Sequence, residues 1–221
     1  IYIGTDKEVK NPSVNIFFKH EATPDSLKNT ISYYASQYML SMAMTMLNNR
    51  LNELRQTANP PFTNASAGYG EFFLAKTKEA FSLDARSKVD GIDLAMKTVL
   101  EEAERARRFG FTATEYERAR ANYMQGVESA YNEREKTKSG SYVNEYVNNF
   151  LDKEPIPGIE FEYMLTKQMA PNIPVEAINK MMQQLITDNN QVVLLAGPEK
   201  EGVKYPTKDE ITALLKQMKS F

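Results

Sequence analysis

The fold is decided by one stretch of the chain, AFSLDARSKVDGIDLAMKTVLEEAERARRFGFTATEYERARANY at residues 80–123. From Asp90 onward its apolar residues recur with the 3.6-residue period of a helix that buries one side. The members of this stripe are Ile92, Ala95, Met96, Val99, Leu100, Ala103 and Ala106. Gly110 predicts the end of that helix. Thr112 and Glu115 have the spacing of a capping box, so they predict a second helix that starts at once.

Upstream of this stretch, the sequence predicts a strand and a long helix. Residues 13–20, SVNIFFKH, are rich in β-branched and aromatic residues and predict a strand buried on both faces. Pro24 and Asp25 suit the first turn of a helix that we predict to run to about Gln56. Its middle, MLSMAMTML at 39–47, is apolar almost all round, which indicates a helix packed inside its domain.

The remaining elements are predicted from caps, chain breakers and short apolar runs. The turn-rich stretch at 154–158, EPIPG, is the one possible joint between subdomains. Thr207 and Glu210 repeat the capping-box spacing before a final helix that we predict to end near Lys219. The other predicted elements are hairpin strands at 64–74 and 78–85 joined near residues 75–77, a helix to about 136 broken before the next by Gly140, helices at 142–151, 159–169 and 174–186, and a strand at 191–196.

This order of elements predicts an α+β fold. Strands and helices do not alternate one for one, so a doubly wound parallel sheet is disfavoured. A largely antiparallel sheet with several helices packed on one face fits the order better. We predict a single domain over residues 1–221, because no repeat or low-complexity tract divides the chain.

Composition excludes several functions. The net charge of −2 gives no reason to expect a nucleic-acid partner or an anionic membrane. The chain has no cysteine and one histidine, His20, whereas a catalytic zinc takes about three protein ligands. We therefore expect no metal site and no catalysis within this chain. Because the sequence starts at Ile1, we expect a trimmed or processed segment and leave the compartment open, with an exported or periplasmic location possible.

No other motif indicates catalysis. A phosphate loop, a G-x-S-x-G elbow and an S-x-x-K motif are absent from the sequence. The carboxylates of Glu101, Glu102, Glu115 and Glu117 lie near arginines and are interpreted as solvated helix faces held by pairs three or four residues apart. The residues alone therefore predict an α+β domain that is not an enzyme by itself.

Several stretches together resemble the pitrilysin/insulinase-type zinc metallopeptidases, or inverzincins. They are the opening IYIGTDKEVKNPSVNIFFKH at 1–20, LNNRLNELRQTANPPF at 47–62, the stretch at 80–123 and QVVLLAGP at 191–198. The resemblance implies the metallopeptidase/LuxS-like fold. In this family the catalytic domain carries H-x-x-E-H, which binds zinc and supplies the base. That motif is absent here, so the resemblance implies a non-catalytic domain, with zinc held by the catalytic domain of the parent protein.

The resemblance also implies a role in a chamber that encloses peptides. Some family domains place an Arg and a Tyr facing the zinc; here Arg55 has the matching position as a possible chamber-facing residue, but Phe62 replaces the Tyr. This favours the second domain of a multidomain parent. Its partners would be the catalytic domain of the same chain and unfolded peptides. The alternative is a structural or assembly module of an inactive peptidase homologue.

The predicted strand at 64–69 is our candidate substrate-binding site. A free sheet edge can accept a peptide as an additional strand. The residues are Asn64, Ala65, Ser66, Ala67, Gly68 and Tyr69. The alternative is that this edge is paired or covered within the protein.

Overall fold

The structure, a computed structural model, describes residues 1–218. Its strands are β1 Tyr2–Asp6, β2 Ser13–Glu21, β3 Asn64–Phe72, β4 Ala75–Arg86 and β5 Gln191–Pro198. Its α-helices are α1 Asp25–Lys28, α2 Ile31–Arg55, α3 Ile92–Phe109, α4 Ala113–Asn132, α5 Ser139–Asp152, α6 Ile159–Met169, α7 Val175–Leu185 and α8 Lys208–Met218. Short 3₁₀ turns lie at Arg134–Lys136 and Ala170–Asn172. The predicted α+β class is confirmed. Over these residues, no helix has both the length and the apolar character that a bilayer crossing requires.

The five strands form one sheet in the order β1-β5-β2-β4-β3. β1 runs parallel to β5, and the other three pairings are antiparallel. The sheet is therefore largely antiparallel, as predicted. β3 lies at one edge and pairs along a single side with β4.

Helices cover one face of the sheet. On β2, Val14, Ile16 and Phe18 are buried on this face, where α3 packs against β2 and β4. Phe17 points to the other face and is only half-buried, beside the rings of Phe72 and Phe73 at 5.5 and 5.3 Å. The prediction that this strand is buried on both faces is therefore wrong, because α3 packs on one face of it and, in the part of the chain that the structure describes, Phe17 on the other face stays half-buried.

The described chain divides into two compact units. The first comprises residues 1–22, 43–110 and those from 179 onward, and it contains the whole sheet. The second comprises residues 23–42 and 111–178. The turn at 155–158 lies within the second unit, and the single domain with a joint there stays a prediction.

The core of the first unit includes the apolar middle of α2. Met44 is 8% exposed, and Ala43, Met46 and Leu47 are at most 1% exposed. They confirm the prediction of a packed helix at 39–47 for the part of it that belongs to this unit. 

Buried tyrosine hydroxyls form hydrogen bonds inside the second unit. Tyr116 donates to the carbonyl of Ala170 at 3.3 Å, and the hydroxyls of Tyr38 and Tyr116 lie 3.0 Å apart. Burial, followed by the hydrogen bond with Tyr116, raises the pKa of Tyr38. Burial, with the nearby Tyr34, raises the pKa of Tyr123 to about 12. These phenols are therefore protonated donors at any physiological pH.

The predicted start of α4 is confirmed. Thr112 Oγ1 accepts from the Glu115 amide at 3.2 Å, and Glu115 Oε2 accepts from the Thr112 amide at 2.7 Å. Gly110 ends α3 with φ of 71°, and a Cβ there would lie 2.5 Å from the side chain of Asn179. Only glycine fits both conditions. Thr207 and Glu210 form the second predicted capping box. The predicted end of the last helix near Lys219 lies outside the described residues.

Four local predictions are wrong. The helix predicted from Asp25 to Gln56 is interrupted after α1, because the hydroxyl of Thr30 accepts from the Tyr33 amide at 3.1 Å and caps a new start. The hairpin turns at Phe73–Leu74, so residues 75–77 belong to β4. The prediction missed this turn because both of its residues are apolar, although both are exposed. The helix predicted to reach 136 ends at Asn132. Gly140, predicted to break it, lies inside α5.

The charged face of α3 is also more buried than predicted. Glu102 is 6% exposed, and Arg50 of α2 lies 3.4 Å from it while donating to the carbonyl of Gly110 at 3.0 Å. Glu104 is equally buried. Burial raises its pKa, but hydrogen bonds from Arg107 and Arg108 and their charges outweigh burial and hold the pKa below its usual value.

Candidate functional site

The predicted substrate-binding residues all lie in β3, at the edge of the sheet. Asn64 through Tyr69 pair with Arg86 through Phe81 of β4 in regular antiparallel register. In such a ladder, the backbone groups of alternate residues point toward the neighbouring strand and away from it. Every second residue of β3 therefore directs its N–H and C=O away from the sheet.

The outward backbone groups at the middle of this edge are held by a side chain. The Ala67 amide donates to Asn48 Oδ1 at 2.8 Å, and Asn48 Nδ2 donates to the Ala67 carbonyl at 2.9 Å. Asn48, on α2, thus imitates one residue of an additional strand. Because the backbone N–H and C=O of Ala67 point away from β4, alternation directs the same groups of Ala65 and Tyr69 away from β4 as well.

The side chains of β3 alternate between the two faces. Ala67 is buried on the helix-covered face. Asn64 and Ser66 point to the uncovered face, where they line a groove of about 410 Å³. Its other lining residues are Ser13, Asn15, Asp84, Ala85 and Arg86. On its floor, Asn15 Nδ2 donates to Asp84 Oδ1. The groove therefore offers donors, acceptors and one charge of each sign.

The far end of the candidate strand carries aromatic and ionisable groups. Tyr69 donates to Glu79 Oε2 at 2.9 Å, and its ring lies 5.8 Å from that of His20. His20 Nε2 lies 3.0 Å from the carbonyl of Leu185. Gly68 pairs with Ser82 between these groups and the groove. These contacts stabilise the strand.

Arg55 and Phe62 have different environments. Arg55 is the last residue of α2; it is exposed and donates to Asn52 Oδ1 at 2.7 Å. Phe62 is 2% exposed, so its ring is part of the core. The structure explains the phenylalanine at this position by packing, and the chamber-facing role of Arg55 stays a prediction.

Among residues 1–218, no three His, Cys, Asp or Glu side chains converge in an arrangement that could hold a metal ion. Sequence reasoning missed Asn48, Asn15 and Asp84 as parts of the site. Asn15 and Asp84 could have been found, because polar and apolar residues alternate at 13–16 and at 81–85, which indicates one uncovered face. Asn48 had no such indication, since it contacts a strand nineteen residues away.

Comparison with curated proteins finds a relative in a plant. The chain is 28% identical over 194 residues to the "Zinc protease PQQL-like" protein of Arabidopsis thaliana, a match that covers 88% of this chain and 17% of the relative. The chain thus spans less than a fifth of that protein's length. No family model matches the chain.

Solved structures share the fold. The first half of the periplasmic protease PqqL from Escherichia coli superposes with a TM-score of 0.85 at 18% identity, covering 98% of this chain and 46% of that one. The peptidase M16 inactive domain from Pseudomonas fluorescens superposes with a TM-score of 0.62 at 14% identity, covering 94% and 45%. The sequence match and these folds together confirm the predicted resemblance of this chain to the pitrilysin/insulinase-type (M16) zinc metallopeptidase family, whose solved structures include inactive domains.

Proposed function

We propose that this chain is a non-catalytic, chamber-forming domain of a zinc-dependent metalloendopeptidase that degrades peptides. The observation that carries the proposal is the polar groove of about 410 Å³ on the face of the sheet opposite the buried side chains of β2, with the edge strand β3 contributing to its lining. A wall that contacts peptides needs such a surface. If the parent is a zinc peptidase, another domain has to hold the zinc, because this chain has one histidine and no cysteine.

The domain anchors extended peptides at β3 in this proposal. Asn64 and Ser66 supply hydrogen-bonding side chains within the groove. The outward backbone of Ala65 supplies pairing groups that accept any peptide sequence. At Ala67 a peptide competes with Asn48 for the same N–H and C=O. Anchoring is therefore weak and tolerant of sequence, as the clearance of varied unfolded peptides requires.

The test uses the complete open reading frame and compares Ala65→Pro with Ala65→Val. Proline removes the outward amide of Ala65, whereas valine keeps the amide and suits a strand. We expect zinc-dependent cleavage of an unfolded casein-type substrate. Ala65→Pro should raise KM for long peptides several-fold and leave short peptides within twofold, because a short peptide cannot reach both β3 and the zinc. Ala65→Val should match the parent enzyme.

Two results would contradict the proposal. Equal losses for long and short peptides in Ala65→Pro would indicate damage to the fold and would remove β3 as an anchor. A complete reading frame without H-x-x-E-H and without peptidase activity would instead favour the alternative function, a structural or assembly module.

A further inference from the structure

Helix α5 presents apolar side chains that the described chain leaves uncovered. None of its fourteen residues is buried. Six apolar residues lie on one side at helical spacing, and they are between 38% and 75% exposed. These residues, the α5 stripe, are Tyr142, Val143, Tyr146, Val147, Phe150 and Leu151. The helix is thus amphipathic, but its apolar side has no core to face.

The size of this surface is comparable to that of the largest apolar patches on monomeric proteins. A large aromatic side chain has ~150–250 Å² of surface to bury. At the exposures of Tyr142, Tyr146 and Phe150, which are 38%, 61% and 75%, these three alone leave roughly 250–450 Å² uncovered. The largest apolar patch on a typical monomer covers ~300–600 Å² and is often functional. The aliphatic members of the stripe extend it further.

An apolar groove lies beside the end of the same helix. Lys28 donates to the carbonyl of Asp152, the last residue of α5, and also lines a groove of about 240 Å³. Ile31, Ile156 and Phe161 line this groove and are 64%, 39% and 43% exposed. Stripe and groove are therefore two neighbouring apolar surfaces, and an apolar centre is the composition that protein interfaces have.

We propose that the α5 stripe is the docking surface for an adjoining domain of the same polypeptide. The matched region makes up 17% of the plant relative and 46% of the first half of PqqL, so each of those chains contains further sequence of at least equal length. The inference rests on the proposed function, since it names the surface through which a non-catalytic domain would be held in the larger protein.

Thiol accessibility tests the proposal, because the chain has no cysteine of its own. Phe150→Cys places a thiol in the stripe, and Asn148→Cys places the matched control on the other side of α5. Each is made in the 221-residue chain and in the complete open reading frame, and maleimide labelling at that position is followed by peptide mass mapping. We expect Cys in place of Phe150 to react at least tenfold more slowly in the complete protein, and the control to change less than twofold.

Three outcomes would overturn the inference: equal labelling of both positions in both proteins, a reading frame that encodes no further domain, or a dimer of the 221-residue chain that Phe150→Asp converts to a monomer. The last result would assign the stripe to a second copy. Peptidase activity is measured separately. Protection of the stripe without cleavage would refute the proposed function alone, and cleavage without protection would refute this inference alone.

Discussion

The hydrogen bonds between Asn48 and Ala67 provide the sharpest test of the candidate site. Asn48→Ala removes two bonds of 2.8 and 2.9 Å to one backbone residue. A typical hydrogen bond contributes about 0.5–1.5 kcal/mol net, so the pair contributes ~1–3 kcal/mol. Because Ala67 is only 7% exposed, water replaces the lost partners incompletely, and we expect a loss of about 2 kcal/mol.

Urea denaturation measures this loss. With a slope of ~2 kcal/mol/M, a destabilisation of about 2 kcal/mol lowers the midpoint by about 1 M. The matched control is Asn52→Ala on the same helix, whose side chain accepts from exposed Arg55, and it should shift stability by less than ~0.5 kcal/mol. Asn48→Asp keeps the acceptor for the Ala67 amide, loses the donor and places a carboxylate beside a carbonyl, so it should be at least as destabilising as alanine.

On the proposed anchoring of peptides, the same substitution should have the opposite effect. With the amide of Asn48 removed, the N–H and C=O of Ala67 are open to an added strand, so Asn48→Ala should lower KM for long peptides in the complete enzyme. Proline at position 67 is an unsuitable probe, because it removes the N–H that binds Asn48. An Asn48→Ala midpoint equal to that of Asn52→Ala would show that the two hydrogen bonds between Asn48 and Ala67 contribute nothing to stability. A lower midpoint with unchanged KM would show that these hydrogen bonds stabilise the fold without competing with a peptide.

Three further predictions follow from composition, capping and charge. The 221-residue chain should retain no stoichiometric zinc after dialysis and cleave no casein-type substrate, and metal analysis with a protease assay checks both. Thr112→Ala removes the acceptor for the Glu115 amide and should lower the free energy of unfolding, measured in urea, by ~1 kcal/mol. Thr112→Ser keeps the acceptor and should be nearly neutral. Equal urea midpoints for the alanine and serine variants would show that the cap contributes nothing. Burial, followed by the charge of Glu145, raises the pKa of Glu162. Its folded pKa therefore lies above its unfolded value, so its contribution to stability is present below the unfolded pKa and is lost as pH rises through the folded pKa. Glu162→Gln should thus stabilise the chain at pH 7 and have little effect at about pH 4. The matched control is Glu117→Gln on the exposed side of α4. A stabilisation by Glu162→Gln that is equal at both pH values would contradict the raised pKa.

Local chemistry made much of the fold predictable. The stripe of α3, the glycine at 110 and the two capping boxes each act within a few residues, so the sequence contains their whole cause. The elements that were misplaced depend on competition between local sequence signals. Thr30 starts a new helix within an apolar pattern that continues across it. Phe73 and Leu74 form a turn although neither is a typical turn residue.

The candidate site was predictable only in part. An edge strand at 64–69 could be inferred from its hairpin, but strand order depends on contacts between distant residues. The same holds for Asn48, which reaches β3 from α2, and for Asp84, which meets Asn15 from a neighbouring strand. Burial of Glu102 likewise depends on Arg50, fifty-two residues away.

The groove beside β3 and the α5 stripe differ in chemistry, and this difference predicts different lifetimes for their contacts. An apolar surface is costly to expose to water, so a partner that covers the α5 stripe gains most from permanent burial. The groove, with Asn64, Ser66 and Asp84 along it, exchanges hydrogen bonds with water for hydrogen bonds with a ligand at little net gain. Its contacts should therefore form and break easily, which suits the proposed role of β3 as a weak peptide anchor. Substitutions in the stripe should accordingly reduce cleavage of every substrate by weakening assembly, whereas substitutions in the groove should change KM for long peptides alone.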